Sequence, residues 1–93
     1  MPMAVPTIQL ENHRVRVTEW RFPPGAATGF HRHDHDYVVV PMTTGRLLLR
    51  EGGQERAADL VLGRSYAREA GVEHDVVNPG SEPFVFIEIE LKA

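Results

Sequence analysis

No stretch of this 93-residue chain repeats apolar residues at i, i+3, i+4 and i+7 over the length of an ordinary helix. Apolar and polar residues alternate instead. In HRVRVTEWRF, residues 13–22, Val15 and Val17 sit between Arg14, Arg16 and Thr18, the period of a half-buried strand. Further short strands are predicted over residues 31–42, 45–50, 55–60, 73–78 and 84–91. Turn chemistry separates them: Pro23-Pro24-Gly25, Thr43-Thr44-Gly45, Gly71 and Asn78-Pro79-Gly80. Glu51-Gly52-Gly53-Gln54 predicts a tight hairpin, because two glycines supply the positive φ of a two-residue turn. Residues 57–60 have room for one helical turn and no more. Many short strands at this spacing predict an all-β sandwich or small barrel in one domain.

Composition then removes whole classes of function. A domain of 10.4 kDa buries roughly two-thirds of its unfolded surface, so its core is thin. The absence of cysteine excludes disulfides, thiolate metal sites, iron–sulfur clusters and cysteine nucleophiles. A net charge of −3 argues against a nucleic-acid partner, and the single lysine, Lys92, argues against Schiff-base chemistry. The start of the chain carries no basic segment followed by a long apolar run, and the apolar stretches near residues 38–42 and 84–87 are too short to span a membrane. A cytoplasmic protein with no membrane partner is therefore expected. Residues 1–6, with two prolines, read as a loose terminus ahead of a single domain over 7–93.

Five histidines stand out in a chain without thiols. His31 and His33 are two apart, so on a strand they share a face with Cα atoms about 6.5–7 Å apart. Two neutral imidazoles at that separation can converge on one divalent ion, at bonds of roughly 2.0–2.2 Å. The same spacing also suits exposed strand residues. His74, alone within Val72-Glu73-His74-Asp75-Val76, reads equally as a satisfied core histidine.

The wider spacing says more. Gly25, His31, His33 and Gly45 form one block, and Gly63, Gly71, His74 and Asn78 a second. In order and spacing these resemble the paired motifs of the cupin superfamily, in which the first block runs glycine, H-x-H, glutamate, glycine and the second runs glycine, proline, glycine, histidine, asparagine. Most of the chain also looks like the short single-domain cupins associated with β-alanine degradation. The resemblance implies a cupin β-barrel, the double-stranded β-helix or jelly roll. It implies that His31, His33 and His74 ligate a divalent metal, with iron, manganese, nickel and zinc all suited to imidazole. It also implies a homodimer, which agrees with a thin core that gains from covering a sheet face; residues 7–10 could add a strand to the neighbour's sheet.

Two positions depart from the family pattern. The proline of the second block is Glu69, which touches only turn shape. The glutamate of the first block is missing, with Tyr37 and Val38 in its place. Three imidazoles without a carboxylate leave the ion's double charge uncompensated, which favours an anionic ligand such as a carboxylate. Tyr37 shares parity with His33 and is expected beside the metal. His35 shares it too and is an alternative ligand or a turn residue at the mouth; Asp36 would need a bulge. Asp34 and Asp36 could orient ligating histidines or simply cap a turn.

Tyr66 and Arg68 precede the second block and, with Tyr37, are the candidate catalytic residues, Arg68 as a carboxylate binder. Trp20, Phe22, Phe30, Phe84 and Phe86 read as core or pocket wall, Asn78 as structural, and His13 as a surface residue. Glu88 and Glu90 alternate with Ile87, Ile89 and Leu91, so the aliphatic face is expected inside and the glutamates in solvent or on a dimer seam, with a base role for Glu88 as the minor alternative. The implied function is a metal-dependent enzyme acting on a small anionic metabolite. A non-catalytic binding or sensing protein, and a structural barrel with vestigial histidines, are the competing readings.

Overall fold

A computed structural model describes residues 2–93 and contains nine strands. They are β1 (Val5–Glu11), β2 (Val15–Phe22), β3 (His31–Arg32), β4 (Asp36–Pro41), β5 (Gly45–Glu51), β6 (Gln54–Leu60), β7 (Tyr66–Arg68), β8 (Glu73–Val77) and β9 (Phe84–Leu91). No helix occurs among the described residues. The strands form a five-stranded sheet, β1-β2-β9-β4-β7, and a four-stranded sheet, β3-β8-β5-β6, all paired antiparallel. The two sheets face each other as a jelly roll, without joining into one hydrogen-bonded ring. Between them lie Phe22, Tyr37, Val39, Leu47, Leu49 and Phe86, among others.

Local chemistry explains the corners. The β5–β6 hairpin closes through Gly52 and Gly53 at φ of 57° and 76°, so the predicted glycine turn is there. A Cβ on Gly45 would meet the Phe84 ring at 3.2 Å, so the glycine that opens β5 is needed for a close approach. Asn78 is buried and structural: its Nδ2 donates to Phe22 O and Glu82 O, and its Oδ1 accepts from Gly80 N–H.

Several expectations give way. The strand read over 31–42 breaks at a bend at residues 34–35 into β3 and β4. Residues 2–6 are tied down where a loose terminus was expected: Ala4 is buried and donates to Ala27 O, and Ala27 donates to Pro2 O. Met1 lies outside the described residues. The segment over 7–10 is a strand, as expected: it belongs to β1 and pairs with the chain's own β2, with a bulge between Ile8 and Leu10, and β1 is the edge of its sheet, with its other side open to a neighbour. Phe30 is 66% exposed and walls no core.

The largest inversion is in β9. Glu88 and Glu90 are buried beside Phe84 and Phe86, while Val85, Ile87 and Ile89 are half-buried on the outer face. Parity decides this. Successive strand residues alternate faces, so burying the two phenylalanines commits both glutamates to the interior.

Candidate metal centre

The four-stranded sheet brings together two histidines on neighbouring strands and a third just beyond one of them. His31 on β3 lies directly opposite His74 on β8. His33 follows β3 and is locked by two backbone bonds of 2.8 Å, His33 N–H to Val72 O and Gly71 N–H to His33 O. Gly71 holds φ of 95°, a conformation that a side chain would strain. His33 and His74 are buried and His31 half-buried.

The ring nitrogens converge. His33 Nε2 lies 3.1 Å from His31 Nε2 and 3.1 Å from His74 Nε2. The opposite nitrogens say what those atoms carry. His31 Nδ1 is 2.9 Å from Gly29 O, and His74 Nδ1 is 3.4 Å from Glu51 Oε1. Both partners only accept, so each Nδ1 holds the proton and each Nε2 presents a bare lone pair. Burial first, and then the neighbouring histidines, push His33 down to about 4. Burial and His31 push His74 down to about 4, against the pull of Glu51. His31 and His74 thus both present lone pairs to His33 Nε2, which can donate to only one of them, whereas a cation among the three would engage all three lone pairs. Two metal–nitrogen bonds of ~2.1 Å at roughly a right angle would separate their nitrogens by about 3 Å, close to the two spacings from His33, and all three ligand atoms lie within 4.8 Å of one another, so the cluster could hold a divalent ion.

The supporting residues were less visible in the sequence. Glu51, the last residue of β5, faces inward with Leu47 and Leu49, so parity could have singled it out. It receives both Nη1 and Nη2 of Arg68, the latter at 3.2 Å, as well as His74 Nδ1. The Arg68 guanidinium holds Glu51 down to about 2, so it stays ionised. Asp75 is buried and accepts from Gly29 N–H at 3.1 Å, fixing the turn whose carbonyl orients His31. Such partners set ligand tautomer and direction.

The other predicted site residues fall differently. Tyr37 stands in the place of the family's glutamate, and its ring stacks on His33 with centroids 3.9 Å apart. Its hydroxyl is buried without a hydrogen-bond partner among the described residues, and burial raises its pKa. His35 lies in the bend before β4, outside the three-histidine cluster. Asp36 is exposed and accepts from Ala70 N–H, so it ties down a loop. Asp34 and His13 are exposed. Arg68 reaches the interior, but its fork is already engaged by Glu51. Tyr66 lines the same interior space and is 39% exposed.

A jelly roll with this histidine set matches a known family along most of its length. Residues 18–90 match the cupin domain family. The chain belongs to the cupins. A curated relative, the beta-alanine degradation protein BauB of Pseudomonas aeruginosa, is 58% identical over 91 residues, covering 98% of this cupin and 96% of the relative. A crystal structure of a cupin domain from Bordetella pertussis Tohama I is 60% identical, covers 99% of this chain and 96% of that one, and superposes with a TM-score of 0.97. A double-stranded β-helix protein from Klebsiella pneumoniae shares the fold at 23% identity and a TM-score of 0.80, with 97% of this chain and 77% of that one covered. No helix among the described residues is long and apolar enough to cross a membrane.

Proposed function

We propose that this cupin is a metal-dependent enzyme that acts on a small carboxylate-bearing metabolite, in the degradation of β-alanine or a related amino acid. One observation carries the reading: three inward Nε2 atoms converge with no carboxylate among them. The carboxylate behind His74, Glu51, already shares its charge with Arg68. An iron, manganese, nickel or zinc ion held by His31, His33 and His74 would supply Lewis acidity and open positions for an anion. The chain's own residues do the rest. Gly29 O and Glu51 fix two ring tautomers, Tyr37 covers one face of His33, and Trp20, Leu49, Tyr66 and Phe86 wall off water. The relative's name supports the pathway, and the cytoplasm is the compartment such chemistry would use.

The test is metal content and turnover on untagged protein expressed in metal-replete medium. About one ion per chain, with turnover of a three-carbon acid, is expected. Less than a tenth of an ion would sink the reading. An ion-loaded protein that binds carboxylates and consumes none would make it a binder.

A homodimer belongs to the same proposal. The outer face of the larger sheet presents Val17, Val38, Val40, Ile87 and Ile89, a connected aliphatic surface on its three middle strands. Sheet faces of this kind are stabilised when a second copy covers them. Light scattering should give twice the chain mass; a mass near 10.4 kDa at micromolar concentration would reject the dimer.

A further inference from the structure

Opposite the histidines, two polar groups of the larger sheet lack hydrogen-bond partners among the described residues, and a buried carboxylate beside them makes no ion pair there. Glu88 on β9 is buried at 6% exposure. Among the described residues it makes none of the ion pairs that engage Glu11, Glu19, Glu51, Glu55 and Glu90. In register, Glu88 is flanked by Thr18 on β2 and Val39 on β4, which places Trp20 and Arg16 at its diagonals on β2 and Tyr37 and Pro41 at those on β4, all on the same inner face. Trp20 Nε1 and the Tyr37 hydroxyl are both buried without a hydrogen-bond partner among the described residues. The Trp20 N–H is near enough to favour the ionised carboxylate, yet it meets no acceptor in hydrogen-bond geometry. All three residues line one interior space with His31 and His74.

Leaving such groups unpaired costs about 1–3 kcal/mol for each neutral one and more for a carboxylate. Leucine at 88 would avoid that cost, and no ion pair among the described residues offsets it. The room open to the centre of a water-sized group is about 20 Å³, enough for one such group. The wall offers around that room a carboxylate that accepts, an indole N–H that only donates and a phenol hydroxyl that can do either. A ligand hydroxyl fits, because it donates to the carboxylate and accepts from an N–H or O–H. An ammonium can donate to the carboxylate and to the Tyr37 oxygen but has no lone pair for the Trp20 N–H, and a methyl has neither function. Burial and Glu90 push Glu88 up to about 7, and a hydroxyl suits either of its states, donating to the carboxylate or accepting from the acid.

We propose that Glu88, Trp20 and Tyr37 form a hydroxyl-recognising subsite facing the three histidines, so that the ligand is a small hydroxycarboxylate. This rests on the carboxylate-at-metal reading above and adds the second functional group of the ligand.

The experiment is calorimetric titration of the Zn²⁺-loaded full chain with propionate, lactate, 3-hydroxypropionate, alanine and β-alanine. Trp20 is the only tryptophan, so its fluorescence reports the subsite independently. At least one hydroxy acid is expected to bind tenfold or more tighter than propionate and to shift Trp20 emission, with neither amino acid gaining on propionate. Glu88→Leu and Trp20→Phe should each erase that tenfold preference while metal content stays at the wild-type level. A preference that survives both substitutions would put the hydroxyl on the metal and overturn the subsite. Equal binding of propionate and the hydroxy acids would leave the three groups serving a structural water and would overturn this inference alone. Absence of binding by every carboxylate would overturn it together with the reading it rests on.

Discussion

On the wall built by β3, β8 and β5, the outer nitrogens of His31 and His74 each meet an oxygen, and Glu51 is held by Arg68. On the wall facing it, built by β2, β4 and β9, Trp20 Nε1 and the Tyr37 hydroxyl meet none and Glu88 has no ion pair among the described residues. The first wall is organised in advance around a cation. The second carries a polar cost that its own fold does not offset. Satisfied second partners mark a site built to hold something permanently; unsatisfied ones mark a surface that waits for a visitor.

Deleting a ligand breaks the first wall most severely. His33 stands between the other two nitrogens, so His33→Ala should drop bound metal from about one ion per chain to less than a tenth, measured by mass spectrometry. Retention of metal would mean that the cluster is a buried polar core and nothing more. The protein should still fold, since the alanine leaves the backbone bonds of residue 33 in place.

Acid and base pull the two walls in opposite directions. His33 and His74 fall from 6.5 to about 4, so the unfolded chain takes up protons before the folded one does. Their contribution is whole above pH 6.5 and is lost as pH falls toward 4, at most about 3 kcal/mol each. Glu88 rises from 4.5 to about 7, so its contribution is whole below pH 4.5 and is lost as pH rises toward 7. Between about pH 4.5 and 6.5 the trends oppose each other. In metal-free protein, Glu88→Gln should therefore lose stability on acidification more steeply than wild type, and should exceed wild type above pH 7. Urea melts across that range measure it, and parallel curves for the two proteins would show that Glu88 titrates normally.

The first wall was also far more legible in the sequence. The glycines and histidines of two spaced blocks carry turn geometry and ligand chemistry in the same residues, so their resemblance to the cupin motifs implied both the fold and His31, His33 and His74 as ligands. Glu51 escaped notice because its role depends on a strand from elsewhere in the chain bringing Arg68 to it. Glu88 was assigned to the wrong side because Ile87, Ile89 and Leu91 are the apolar residues of their stretch. Aliphatics usually mark the core face, yet Phe84 and Phe86 hold the register, and the aliphatics cover the outside instead. Residues 1–6 were read as loose on their two prolines; what anchors residues 2–6 is backbone bonding to Ala27 and pairing with β2, which leaves little side-chain pattern to read. Arg68 was expected to hold a ligand's carboxylate; only the three-dimensional pairing reveals that a carboxylate of the chain itself occupies it.

Glu51 allows the first wall to be loosened without removing a ligand. In Glu51→Gln the His74 Nδ1–H keeps an oxygen acceptor, but the charge that aligns it and anchors Arg68 is gone. Metal affinity should fall about 10- to 100-fold, as expected when a ligand's outer partner is altered. Competition with a chelator of known affinity gives the ratio. An unchanged affinity would mean that β8 alone orients His74, and that Glu51 serves only to fix Arg68.

The smallest effect tests the second wall. Tyr37 contributes a ring that stacks on His33 and a hydroxyl that finds no partner. Tyr37→Phe keeps the ring and deletes the unpaired group, so a core of the same shape sheds a desolvation cost. Stability should rise by about 1 kcal/mol, with metal content unchanged. For a domain this size that is a rise of roughly 4–8 °C in Tm, readable by calorimetry. A fall in Tm would show that the hydroxyl is paired in solution, and the two walls would then differ less than their geometry indicates.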